Sequence, residues 1–385
     1  MSRVPIYKSR PVEPNPARYG GQRINDFIVL SEAFSNCYLL QTPEGNIQVN
    51  AGMGMEAPVI KQNFDDFSTD PVRYLVLTQG HVDHVGGVGY LRRQHPGLTV
   101  IAQAGNAEHQ AYDSRLATFR GNRSAFAFSG KFAAAFQYYA EHGYRDFPEQ
   151  DVPTPDLLVD ERHSFTLGGL QVEIIAVPGA ETNDSLIVWL PQHRICLTGN
   201  LFGCAFGHFP NLVTIRGDRY RDALSVAAAV QRVMDLEPEM ILYGHHGPIA
   251  GGEIIRAELT ALRDAIHHVH DATVKGMNEG QDVHSLMAGI TLPAALEVGE
   301  GYGKLSWSIR AIWENYAGWF HHNSTTELYT VPRESVNPDL LELAGGAPAL
   351  VARARAKADA GEAEQALHLL DIVLDVEPQQ PAALA

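Results

Sequence analysis

Residues 74–89, Tyr-Leu-Val-Leu-Thr-Gln-Gly-His-Val-Asp-His-Val-Gly-Gly-Val-Gly, constrain this chain more than any other stretch. An apolar run over 74–77 ends abruptly in Gln79, His81, Asp83 and His84, and Gly86 and Gly87 follow. Short apolar runs bounded by turn signals mark buried strands, so this one is expected to deliver polar groups at a strand's C-terminal end. Two imidazoles and a carboxylate this close together are the donors that borderline divalent ions such as zinc prefer. A polar loop that only caps a strand is the alternative, and it leaves the combination without a use.

The pattern recurs downstream. An apolar stretch over 172–177 ends in Pro178-Gly179-Ala180-Glu181-Thr182-Asn183-Asp184-Ser185, and a later one ends in Leu197-Thr198-Gly199-Asn200. Residues 240–248, Met-Ile-Leu-Tyr-Gly-His-His-Gly-Pro, place His245 and His246 at a third apolar end. Upstream, 27–30, 36–40, 47–50 and 99–102 read as strands, and 58–67 and 86–94 as helical, an alternation that predicts an α/β layered fold. The insertion at 106–151 is rich in Phe and Tyr, with helical spacing in its Ala-rich part. Its aromatics either pack a core or line an apolar substrate pocket. From about residue 253 the strand signals stop. Residues 254–277 read as one helix, with His267, His268 and His270 on a solvated face.

The composition narrows the class. A chain of 385 residues has room for two domains. A net charge of −16 argues against nucleic acid or an anionic membrane surface as partner. No stretch approaches the roughly eighteen uninterrupted apolar residues of a membrane span. Three cysteines, Cys37, Cys196 and Cys204, suit a reducing compartment, and no apolar signal core follows the N-terminal charges, so a cytoplasmic location is expected. Residues 1–23, rich in Pro, Arg and Gly, are expected to form an extended arm.

Thr78-Gln79-Gly80-His81-Val82-Asp83-His84-Val85-Gly86-Gly87 resembles the Thr-His-x-His-x-Asp-His-x-Gly-Gly signature of the metallo-β-lactamase superfamily, with Gln79 where the first His belongs. The Pro178 to Glu181 turn resembles the Pro-Gly-Thr-Glu of its alkyl sulfatase branch. Asn211-Leu212-Val213-Thr214-Ile215-Arg216-Gly217 resembles that branch's Asn-Leu-Tyr-Thr-Leu-Arg-Gly. Residues 302–320, 342–346 and 360–366 resemble its helical dimerization domain, closing in a hairpin of the tetratricopeptide kind. In all, the resemblance runs over residues 26–378.

The resemblance implies a four-layer αβ/βα sandwich over 24–262 and an all-α dimerization domain over 263–385, hence a homodimer. One metal position would use Gln79, His81 and Glu181, the other Asp83, His84 and His245, with His246 as the alternative to His245. Asn200 stands where an acid bridges two metals. The second set is complete; the first has lost an imidazole and the bridging charge, so one tightly bound zinc is expected, with two as the alternative. Asp83 and His84 take the catalytic roles. Asn211 and Arg216 would bind the substrate's anionic group, since a guanidinium suits a tetrahedral oxyanion. Pairing of Arg216 with Asp218 or Asp222 is the structural alternative. The implied function is a zinc-dependent hydrolase using metal-bound hydroxide on a small anionic ester, an alkyl sulfate. The alternatives are a carboxylic ester, lactone or β-lactam hydrolase, or a catalytically silent binding protein with a degraded metal site.

Overall fold

A computed structural model describes residues 3–385; residues 1 and 2 of the expected arm lie outside the described residues. In the first half of the chain the elements are β1 (Gln22–Arg23), β2 (Ile28–Ser31), β3 (Cys37–Thr42), β4 (Gly45–Val49), α1 (Ala57–Asp65), β5 (Val72–Val76), α2 (Val82–Val85), α3 (Val88–Gln94), β6 (Thr99–Gln103), α4 (Asn106–Arg115), α5 (Ala117–Glu141) and β7 (Leu157–Val159). Their strands form one sheet in sequence order. Pairings from β1 to β4 are antiparallel, made by short turns. From β4 onward they are parallel, because helices on the outer face carry the chain back each time.

The second sheet uses β8 (Arg162–Leu167), β9 (Leu170–Ala176), β10 (Leu186–Leu190), β11 (Ile195–Gly199), α6 (Ala223–Asp235), β12 (Met240–Tyr243) and β13 (Ile249–Ala250), ordered β13-β12-β11-β10-β9-β8. The sheets share a core in which Leu30, Leu40, Ile47 and Val76 meet Val172, Ile174, Val188 and Leu242. Outside the first sheet Ile60, Phe64, Leu91 and Tyr139 pack from α1, α3 and α5. Outside the second, Val226, Val230, Leu259 and Ile309 pack from α6, α7 (Gly252–Asn278) and α9 (Leu305–Ala317), with α8 (Val283–Gly289) between them in sequence. This is the expected αβ/βα sandwich. Leu75, Val76 and Leu77, leading into the motif, are wholly buried, so truncating either leucine to Ala costs about 2–5 kcal/mol.

The chain separates into two compact units, one ending at Tyr316 and the other Ala317–Ala385. The boundary expected at 262/263 instead falls inside α7, whose apolar stripe belongs to the core of the second sheet. The second unit has its own core, with Leu341, Val351, Val373 and Ala383 drawn from α10 (Asn337–Leu343), α11 (Ala347–Asp359), α12 (Ala363–Val376) and α13 (Pro381–Leu384). Gly361, at φ +83°, ends α11 and lets α12 turn back in the expected helical hairpin.

Two expectations need correction. His270 is not on a solvated face: it is buried, 2.8 Å from Tyr316 Oη through Nε2 and 2.8 Å from Asp271 Oδ1 through Nδ1. The N-terminal arm is neither extended throughout nor free: Ile6–Ser9 form a 3-10 helix, and the arm is fastened to the first unit. Arg3 pairs with Glu258 at 2.9 Å, Arg10 Nη2 donates to Gly247 O at 2.5 Å, and the buried Ala17 donates to Glu56 Oε1 and accepts from Tyr139 Oη.

Candidate active site

The turn after β5 is built by backbone closure as much as by side chains. Asn50, at φ +63° beyond β4, accepts both Thr78 N–H and Thr78 Oγ1–H at 3.0 Å, which ties two parallel strand ends together. Ala51 N–H donates to His84 O at 2.8 Å. Gly87 must be glycine, because a Cβ there would collide with the Ala51 carbonyl.

His84 is wholly buried. Its Nδ1 lies 3.1 Å from Ser35 Oγ and 3.2 Å from Thr78 Oγ1. Both hydroxyls donate elsewhere, Ser35 to Gly244 O and Thr78 to Asn50, so both accept from His84. The proton therefore sits on Nδ1, and Nε2, which has no partner, points its lone pair outward. Burial holds the ring far below the ordinary histidine pKa, so it is neutral. His245, beyond β12, is also buried, and desolvation pushes it down to about 3; its Nδ1 has no partner. Asp83 is half-buried, with Oδ2 3.7 Å from His84 Nε2, and its charge is felt at His245.

Gln79, His81 and Glu181 are engaged with each other or with neighbours, whereas Asn200 Oδ1 is buried without a partner. Gln79 Nε2 lies 2.7 Å from His81 Nδ1, and Gln79 Oε1 accepts from Asn200 N–H at 3.4 Å. His81 Nε2 faces Asp218 at 3.8 Å. Burial would lower the His81 pKa, but Asp218 and Glu181 outweigh it and the net shift is upward. Asp218 moves the opposite way: burial works against its charge, and His81, Arg221 and Arg120 hold it far below the usual carboxylate range. Glu181, buried in the turn after β9, receives Arg221 Nε on its carbonyl at 2.7 Å and Arg221 Nη2 on Oε1 at 3.1 Å. Burial raises the Glu181 pKa, and the Arg221 charge opposes that rise.

Arg216 pairs with neither Asp218 nor Asp222. Its Nη2 donates to Tyr302 Oη at 3.2 Å, and its guanidinium lies 5.1 Å from the Phe128 ring centroid. Asp222 instead caps α6, accepting from Ser225 N–H at 2.7 Å. Tyr302, its pKa pushed up to about 12 chiefly by burial, stays protonated. Asn211 is buried, and its carbonyl accepts from Arg221 Nη1. From Arg216 an aromatic row runs through Phe128 and Phe132 on α5 to Phe34, next in sequence to Ser35. Phe132, Tyr138 and Tyr139 pack in or against the core outside the first sheet, the core-packing reading of the insertion, while Phe119 and Phe126 are exposed.

Arg221, Tyr302 and Asp184 were not singled out by sequence reasoning. Asp184 is buried and accepts from Gly80 N–H at 3.1 Å and from Asn106 Nδ2 at 2.8 Å, locking the motif turn against the Glu181 turn. Its signal was the polar run at 181–185. A cleft of about 90 Å³ beside these turns is lined by His109, Glu181, Asp218 and Arg221 among others.

Among the described residues no three His, Cys, Asp or Glu side chains form a ready metal cage. The donor chemistry still fits one ion: Asp83 with two neutral imidazoles, His84 and His245, each keeping a buried ring nitrogen without a partner. It does not fit a second, because the Gln79 amide is used at both ends and Glu181 is held by Arg221.

The metallo-beta-lactamase superfamily model matches residues 30–245, and an alkyl sulfatase dimerisation model matches 283–385. A linear primary-alkylsulfatase of Pseudomonas sp. is 25% identical over 322 residues, 80% of this chain and 60% of the relative. An alkyl/aryl-sulfatase of Saccharomyces cerevisiae is 25% identical over 332 residues, 81% of this chain and 50% of the relative. The solved structure of a stereoselective inverting sec-alkylsulfatase from Pseudomonas sp. superposes with a TM-score of 0.81 at 21% identity, covering 95% of this chain and 60% of that one. The chain thus spans between half and three-fifths of the length of these relatives.

Proposed function

Because the chain belongs to the metallo-beta-lactamase superfamily, we propose that it is a metal-dependent hydrolase of alkyl sulfate esters, with Asp83, His84 and His245 holding one zinc ion. The observation that carries this reading is the presence of two groups within the first unit. His84 and His245 each keep a buried ring nitrogen without a partner, that of His84 3.7 Å from Asp83 Oδ2, and an Arg216–Tyr302 pair with Asn211 nearby offers donors for an anion. The alkylsulfatase relatives support the substrate class.

A divalent ion bound there would supply Lewis acidity and a water that ionises near neutral pH. The chain's own residues do the rest. Arg216 and Asn211 hold the sulfate group, with Tyr302 Oη adding a donor, because its oxygen already accepts from Arg216 and its proton is free. Phe128 and Phe132 give the alkyl chain an apolar wall leading from the anion site toward Phe34. Asp83, half-buried, accepts the proton of the attacking water and orients it, and Ser35 and Thr78 hold His84 in one tautomer throughout.

Carboxylic ester or lactone hydrolysis is the second reading, favoured by Gln79 and the uncharged Asn200, since carbonyl attack needs only one polarising ion. Exposed apolar side chains in the second unit, Trp319, Tyr329 and Leu343 among them, support a homodimer formed by that unit. Three free, buried cysteines support a cytoplasmic location. Among the described residues no helix is long and apolar enough to cross a membrane. Release of sulfate from decyl sulfate, set against hydrolysis of phenyl acetate, tests the assignment. Sulfate release from the metal-loaded protein is expected; turnover of the acetate alone would favour the second reading, and inertness toward both a binding protein.

A further inference from the structure

The half-site that would take a second ion is neutralised from within. Gln79 has both amide ends engaged, by His81 Nδ1 at 2.7 Å and Asn200 N–H at 3.4 Å. Glu181 and Arg221 are each 7% exposed in their side chains and are joined at two points, Nε to the carbonyl and Nη2 to Oε1. The same guanidinium donates from Nη1 to Asn211 O and lies 3.8 Å from Asp218. Arginine keeps its charge in any protein environment, and its fork of donors matches a carboxylate and flanking carbonyls. Position 79 carries no imidazole and position 200 no charge, and the two carboxylates nearby, Glu181 and Asp218, already face the Arg221 guanidinium, so a second dication here would lack compensation.

We propose that Arg221 stands in place of a second metal ion. It is a positioning residue that neutralises Glu181 and braces the Asn211 loop against the turn after β9, so the working site holds a single ion at Asp83, His84 and His245. The inference rests on the metal assignment made under the proposed function. It changes the role of Glu181, which serves here as the counter-ion of Arg221 and not as a ligand. It also explains why the two substitutions in the motif occur together with an intact Asp83, His84 and His245: one half of the site is closed and the other kept.

Severing a buried ion pair strands a charge, whereas replacing both partners with neutral groups of similar size tends to spare the fold. The test is therefore zinc stoichiometry, with the visible spectrum of the cobalt-substituted protein, in wild type and in Glu181→Gln/Arg221→Met. Roughly one ion per chain in both, with the same cobalt spectrum and affinity within about threefold, is expected. Two ions in wild type, or loss of metal from the double variant, would overturn the inference while leaving the hydrolase reading intact. Absence of any ion in zinc-treated wild type would overturn both. Should the double variant not fold, as judged by circular dichroism, Gln79→His/Asn200→Asp decides: it should still bind one ion, since Arg221 holds Glu181, and two ions there would contradict the proposal.

Discussion

Ser35 Oγ lies 3.1 Å from His84 Nδ1 and 3.5 Å from the Gly244 carbonyl, so one buried hydroxyl spans the two strand ends that carry His84 and His245. Because it accepts from one and donates to the other, it sets both the tautomer of His84 and the spacing of the pair. Ser35→Ala is expected to weaken zinc binding by about 10–100-fold with little loss of fold, as is usual when a ligand's supporting hydrogen bond is removed. Competition with a chromophoric chelator measures this; unchanged affinity would deny Ser35 that role.

Arg216 is the cation of the anion site. Arg216→Gln removes a charge-assisted contact of about 1.5–3 kcal/mol, so KM for an alkyl sulfate should rise by about 10–150-fold. An uncharged ester should be unaffected. Parallel steady-state kinetics on the two substrates separate a lost anion contact from general damage.

Glu56 shows why part of the fold around this site was not legible in the sequence. Nothing around Gly-Met-Glu at 54–56 marks a carboxylate that is wholly buried and accepts the amides of Ala17, Phe34 and Met53. Its partners come from three separate segments, and no local periodicity reports such a hub. Arg221 was hidden for a related reason: it shares a short stretch with Arg216 and Arg219, and its partner Glu181 is 40 residues away. The ends of β5 and β12 were legible, because an apolar run that stops at His needs only local sequence to be noticed. The insertion was half legible. Helical spacing announced α5, but aromatics on several sides, Phe126 exposed and Phe132 inward, left its packed face undetermined.

Burial raises the Glu56 pKa to about 7, against the pull of its three amide donors. A carboxyl whose folded value lies above its unfolded one contributes stability that is complete below about pH 4.5 and is lost as the pH rises through about 7. Between pH 5 and 8 this amounts to on the order of 3 kcal/mol. Urea unfolding at the two pH values should show wild type losing that much more stability than Glu56→Gln. Equal losses would contradict the assignment.

Leu343, at the end of α10, is 84% exposed in the unit proposed to form the dimer. Leu343→Asp should shift the protein from dimer toward monomer by at least tenfold in dissociation constant, a change of about 1.4 kcal/mol or more, without altering its circular dichroism. Sedimentation equilibrium at micromolar concentration reads this directly, and an unchanged dimer would place the interface elsewhere.

The most direct measurement is zinc content per chain, taken together with sulfate release from decyl sulfate, for wild type and Asp83→Ala. Roughly one ion in wild type, lost together with sulfate release in Asp83→Ala, is the expected result. Sulfate release from a wild-type protein that holds no metal, or metal and activity both kept by Asp83→Ala, would contradict a hydrolase built on Asp83, His84 and His245.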